Sequence, residues 1–246
     1  MAERSEVTPQ LEGAPQGAAA REYLKYTFYR VAQSWRLQRR EARAAQKRAF
    51  SAELAALRDA HKTRLYSLVG LRGDCDFMTW TIADRAQDLQ EVARRIVSTE
   101  LGAHLETPYS YLAMRKRSVY LGGHEHAGQD GAGAPGVPAG ASFLFVYPFT
   151  KKREWYALPF EERQKIMREH FRVGHKYPKI TIHTGYSFGI DDYEFILAFE
   201  GDDPGEFLDL VMELRTSEAS RYTAVETPIF TCMAAEPEAL VAALGD

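Results

Sequence analysis

Three stretches of this sequence hold side chains able to do chemistry. The first is Val146-Tyr147-Pro148-Phe149-Thr150-Lys151-Lys152-Arg153-Glu154-Trp155-Tyr156, where a strand delivers Tyr147 at its end and cations follow at once. Lys and Arg neutralise carboxylates or phosphates, so the arrangement suits an oxidisable phenol beside an anionic ligand. The plainer reading is an aromatic strand end followed by a solvated basic turn. The second centres on His170. It shares a helical stripe with Met167, Phe171 and Gly174, the face expected to be buried. A buried neutral imidazole needs a partner for each ring nitrogen, or one is left unsatisfied at a cost of ~1–3 kcal/mol. A metal on one nitrogen and a carboxylate on the other meets that demand, and so does a core histidine bonded to backbone. The third stretch is Glu213-Leu214-Arg215-Thr216-Ser217-Glu218-Ala219-Ser220-Arg221-Tyr222. There Arg215 and Ser220 can grip a carboxylate or serve as ordinary polar residues at a helix end.

Other candidates are weaker. His124 and His126 fall in a glycine-rich run, as a weak metal pair or simply a solvated loop. His170 and His175, five residues apart, lie about 140° around a helix and cannot share a face as ligands. The stretch from Arg36 to Arg48 carries six cations (Arg36, Arg39, Arg40, Arg43, Lys47, Arg48) against Glu41. It reads as a solvated helix face or subunit surface before it reads as a nucleic-acid face. There is no P-loop, no GxGxxG after a strand, no HExxH and no GxSxG.

The elements that must position these residues follow a repeating order. Residues 1–20 lack periodicity and are expected to be a disordered leader. A strand at 23–29, a helix over 34–60, strands at 64–69 and 76–82, a helix over 84–101 capped by Asp84, and a strand at 109–115 make a first β-α-β-β-α-β unit. Residues 122–140 hold seven glycines and read as a linker between units at 21–121 and 141–246. The order then recurs: strand 142–148, helix 160–174, strands 179–188 and 192–199, a helix opened by Asp203-Pro204, and a last strand at 222–231. The expected fold class is α+β, two ferredoxin-like units whose sheets pack together or close into a barrel-like pair.

Composition narrows the function classes. The chain has 246 residues, 45% hydrophobic and 26% charged, with 31 Lys plus Arg against 34 Asp plus Glu. A net charge of -3 gives no basic excess for a polyanion, and no apolar run approaches the ~18 residues of a membrane span. Cys75 and Cys232 stand far apart, against a disulfide scaffold or a structural zinc site. The N-terminus lacks a secretory apolar stretch, so a reducing, cytoplasmic location is expected.

The run VYPFTKKREWYALPFEERQKIMREH, with YSFGIDDYEF and MELRTSEASRY, resembles the chlorite dismutase-like superfamily, and within it the coproheme decarboxylases. The likeness is specific from about 142 to 231 and architectural before that. It implies His170 as the proximal iron ligand, with Glu218 on its other nitrogen and Trp155 packed nearby. It implies Tyr147 as the radical-forming tyrosine, Lys151 beside the reacting propionates, and Arg215 and Ser220 as propionate contacts. Ile182 falls where chlorite dismutases place a distal arginine, which disfavours oxygen evolution from chlorite and leaves the distal base open. His183 is adjacent but points to the opposite strand face. An arginine that some relatives carry upstream of the tyrosine has no counterpart in 122–140.

The activity so implied is hydrogen-peroxide-dependent conversion of iron-coproporphyrin III (coproheme) to heme b through a three-propionate intermediate and a tyrosyl radical. The porphyrin is both substrate and redox cofactor. The resemblance also implies a homopentamer and transient contact with the upstream ferrochelatase, with no nucleic-acid partner. The competing readings are a chlorite dismutase, a general heme peroxidase, or a non-enzymatic heme-binding protein.

Overall fold

The computed structural model describes residues 22–116, 118, 120 and 139–245. The expected leader at 1–20 and most of the expected linker, with His124 and His126, lie outside them. The first half comprises β1 (Tyr23–Val31), α1 (Gln33–Arg36), α2 (Arg40–Ala60), β2 (Lys62–Ser67), β3 (Phe77–Ala83), α3 (Ala86–Val97) and β4 (Leu105–Arg115). The second comprises β5 (Phe143–Lys151), α4 (Arg153–Ala157), α5 (Phe160–Gly174), β6 (Thr181–Tyr186), β7 (Phe195–Gly201), α6 (Pro204–Arg215), β8 (Thr223–Val225), β9 (Phe230–Ala234) and α7 (Pro237–Ala243).

The strands run in the order β7-β6-β4-β1-β3-β2-β9-β5-β8, and β5 also pairs with β7. That pairing closes the sheet, so the two halves form one barrel joined at two seams, β4–β6 and β2–β9. Alternation along each strand sends one set of side chains inward and the other outward. The interior is packed with Leu24, Tyr26, Phe28, Met78, Trp80, Leu144, Val146 and Phe230, among others. Both cysteines are free and buried there. At the β4–β6 seam Gly185 is required by space: a Cβ would come within 2.5 Å of the Ala113 Cβ.

Outside the barrel the halves differ. On the first, α2, α3 and α7 lay Phe50, Leu54, Leu57, Val92, Ile96 and Leu240 directly onto Tyr29, Leu65 and Phe77. On the second, α5 and α6 stand over the sheet and leave an open cavity between.

Several boundaries differ from expectation. The helix expected over 34–60 is two, broken at Leu37-Gln38-Arg39. Asp84 caps nothing: α3 starts at Ala86, Arg85 precedes it, and no side chain bonds its first N–H groups. Asp203 does cap α6, accepting from the Gly205 N–H at 2.8 Å. The last strand is split in two around Pro228, which has no N–H to give a ladder. The helix α7 had no warning in the sequence pattern.

Candidate functional site

The strand β5 does not stop at Tyr147 but continues through Lys151. The residues read as a basic turn are therefore partly strand, and the alternation puts Phe145, Tyr147, Phe149 and Lys151 on one outer face. Tyr147 is buried, its ring stacked on Phe199 at 5.8 Å, and it lines the cavity. Burial pushes its phenol well above the usual range, with Arg215 pulling slightly the other way. At ordinary pH it is a neutral O–H.

Lys151 rests on aromatic faces, its Nζ 4.7 Å from the Trp155 ring centre and 5.2 Å from that of Phe149. Nζ donates to the Ala219 carbonyl at 3.1 Å. Burial lowers its pKa to about 8, against the opposing pull of the Glu194 carboxylate. Glu194, just before β7, is nearly inaccessible and ties this corner together. It accepts from the Lys151 backbone N–H at 2.9 Å and from the Tyr156 hydroxyl at 2.6 Å.

The facing wall is α5. Its stripe of Arg163, Met167, His170, Phe171 and Gly174 fronts the cavity rather than packing into a closed core. His170 is held neutral, its pKa brought down to about 4 by burial and by the Lys151 charge. Its Nδ1 is buried with no hydrogen-bond partner among the described residues. Glu218, expected on that nitrogen, instead faces a separate groove beside Glu169 and Arg172 and pairs with Arg221 at 3.2 Å. Arg215 and Ser220 do line the cavity, but Arg215 is already paired with Glu226. Trp155 is buried beneath Lys151.

On the sheet wall, Ile182, Thr184 and Tyr186 of β6 face the cavity with Leu197 and Phe195 of β7. His183 points the other way, into the barrel, where it pairs with Glu200 at 2.7 Å and meets the Trp80 ring edge-on at 5.0 Å. Burial would raise the Glu200 carboxyl. His183 and the N–H groups of Ala139 and Gly140 outweigh it and hold the group below its ordinary value. His183 is therefore no part of the cavity. The basic stretch of the first half is partly committed to the fold. Arg36 donates to the Leu244 carbonyl at 2.8 Å and to Asp76 at 3.0 Å, and Arg43 lies over the Trp35 ring.

Sequence reasoning missed Glu194, Arg115, Glu226, Tyr120 and Arg163. Arg163 carried a usable signal, since it falls on the His170 stripe two turns earlier. The others come from distant segments that only the closed barrel brings together.

The cavity measures about 770 Å³, ample for a large cofactor-sized ligand. Among the described residues no cluster of three His, Cys, Asp or Glu side chains converges on a metal. One neutral imidazole cannot hold a bare ion, but it can give one nitrogen to a metal that arrives with its other donors, as in a metallated macrocycle. The apolar walls suit such a ring and the rim cations suit acidic substituents.

A closed α+β barrel with a single-histidine slot on the outside of one half defines a ligand-binding barrel class. Within it the sequence is specific. Residues 39–235 match the family model described as Chlorite dismutase, and the chain belongs to that family. It is 37% identical over 183 residues to a coproheme decarboxylase of Mycolicibacterium smegmatis, covering 73% of this chain and 76% of the relative. It is 31% identical to a coproheme decarboxylase of Staphylococcus carnosus, covering 70% and 73%. A chlorite dismutase from Candidatus Nitrospira defluvii has the same fold, with a TM-score of 0.79 at 21% identity over 89% of this chain and 93% of that one.

Proposed function

We propose that the protein decarboxylates iron-coproporphyrin III to heme b with hydrogen peroxide, through a three-propionate intermediate. The observation that carries this reading is the placing of Tyr147 and His170 on facing walls of one apolar cavity, with Lys151 on the same strand face as the phenol. Two relatives named coproheme decarboxylase, at 37% and 31% identity, support it.

When bound, the iron porphyrin with peroxide supplies two oxidising equivalents for each carboxyl removed. His170, neutral at working pH, would hold the iron through a ring nitrogen from α5. Tyr147 gives up an electron and its proton, and the resulting phenoxyl takes a hydrogen atom from the propionate β-carbon. Loss of a second electron and of CO2 leaves a vinyl group. Each propionate, with one H2O2 and one proton, thus yields a vinyl group, CO2 and two waters. Lys151 pairs with the reacting carboxylate and fixes its distance from the phenol. Arg215 and Ser220 contact other propionates. Ile182, on the sheet wall, offers no charge or proton to an oxychlorine group, which sets this reading above chlorite dismutation.

The test is to load the protein with coproheme, titrate peroxide and follow the porphyrin by mass spectrometry. Stepwise loss of two carboxyl groups is expected; bleaching without loss would remove the reading and leave a peroxidase or a carrier. Homopentameric assembly, a cytoplasmic location and contact with a ferrochelatase belong to the same proposal, the first checked by light scattering. Among the described residues no helix is long and apolar enough to cross a membrane.

A further inference from the structure

Among the described residues the cavity is lined by five cationic side chains, Arg115, Lys116, Lys151, Arg163 and Arg215, and one carboxylate, Glu226. Two of the cations are neutralised within the chain, Arg215 by Glu226 and Arg115 by Glu22. Lys151 has its place in the reading above, and Lys116 lies over the Tyr186 ring. Arg163 is different. It makes no ion pair among the described residues, yet it is held in place: its guanidinium lies 5.7 Å from the Phe160 ring centre and donates to the Tyr120 hydroxyl at 3.3 Å. Its Nε is buried and has no partner among the described residues.

Its position is also informative. Seven residues before His170 on the same stripe of α5 place it about 10 Å along the helix. That is the reach from the centre of a macrocycle to the acid groups at its edge. Tyr120 is fixed by its ring, which stacks on Phe160 at 5.9 Å and meets Trp155 edge-on at 6.2 Å. Having accepted from Arg163, its hydroxyl still has a proton to donate. A charged fork with a free, desolvated N–H beside a free O–H donor is built for a carboxylate, and no carboxylate among the described residues fills it.

We propose that Arg163 and the Tyr120 hydroxyl together bind one carboxylate of the acidic macrocycle, a contact separate from Lys151, Arg215 and Ser220. The proposal rests on the reading of the cavity as a porphyrin site. It makes Arg163 a determinant of affinity for porphyrins rich in acid groups.

The test uses iron-free coproporphyrin III, so that neither iron ligation nor turnover enters. Its binding to the full chain is followed by fluorescence over a range of salt concentrations. Arg163→Gln should weaken binding roughly ten- to hundredfold, the range for a lost charge-assisted contact, and should flatten the dependence on salt. Arg163→Lys should recover part of the affinity and keep the salt dependence. Tyr120→Phe, which leaves the ring stack in place, should cost several-fold and reports on the same contact if Arg163→Gln does not fold. Unchanged affinity in Arg163→Gln, or in Tyr120→Phe where that variant must decide, overturns the proposal. So does a loss in Arg163→Gln with an unaltered salt dependence, which marks lost packing rather than lost charge. If the unmodified protein itself fails to bind coproporphyrin, the porphyrin reading falls first and this contact with it.

Discussion

At the residue scale, neutral groups are held ready beside charged ones. Tyr147 keeps its proton because burial disfavours a phenolate, so what it can lose is an electron together with its proton rather than a proton alone. Tyr147→Phe should therefore still bind coproheme and lose decarboxylation, read by mass spectrometry; normal turnover would reassign the radical. His170→Ala should weaken iron-porphyrin binding and shift the Soret band, and an unchanged band would remove His170 as ligand. Lys151 carries its charge below a pKa of about 8. His170, near 4, and Tyr147, raised, do not titrate in the same window. Coproporphyrin affinity should then fall as pH rises through 8, where Lys151 loses the proton that attracts a carboxylate. Lys151→Met should flatten that fall in a pH series of binding curves. Tyr147, Lys151 and His170 stood out in the sequence as an aromatic strand end followed by cations and an imidazole on an apolar helical stripe, and the structure places all three on one cavity. The direction taken by Glu218 was not legible, because it lies on a short 3-10 turn after α6, where it pairs with Arg221.

At the element scale, strand register governs what the cavity contains. The β4–β6 seam brings Ala113 against Gly185, with the Leu24 Cδ1 3.3 Å from where a Cβ would stand. Gly185→Val should destabilise the protein by about 1–3 kcal/mol or more, measured by urea unfolding, because the interior is filled there. A variant of undiminished stability would mean that the seam can open. Periodicity revealed α5 and α6 well, and Asp203-Pro204 announced α6 through its cap. It failed at β5, where Lys151 looked like the start of a turn. Strand pairing with β7 and β8 overrides that local preference. It failed also at Arg163, since a charge on an apolar stripe suggests a solvated edge until a cavity is found in front of it.

At the scale of the whole molecule, one interior serves both halves. The element order raised the expectation of two similar units, while the pairings β4–β6, β2–β9 and β5–β7 make a single closed barrel. These contacts span distant segments, which local sequence patterns cannot report. The halves should accordingly unfold together. Trp80 lies inside the barrel on β3 and Trp155 under the cavity on α4, so variants keeping one or the other can report on each half. Their denaturation midpoints should coincide; separate midpoints would show two independently stable units.

The strand β5 is a wall of the barrel and of the cavity at once. Leu144 and Val146 face the interior, while Tyr147 and Lys151 face the cavity. A slip of one residue would turn the phenol and the ammonium into an apolar core and set Val146 in the site. Such a chain would have to bury a lysine without a counterion in order to fold. Folding therefore couples the register of β5 to the contents of the cavity: a chain that reaches the native barrel presents Tyr147 and Lys151 to it.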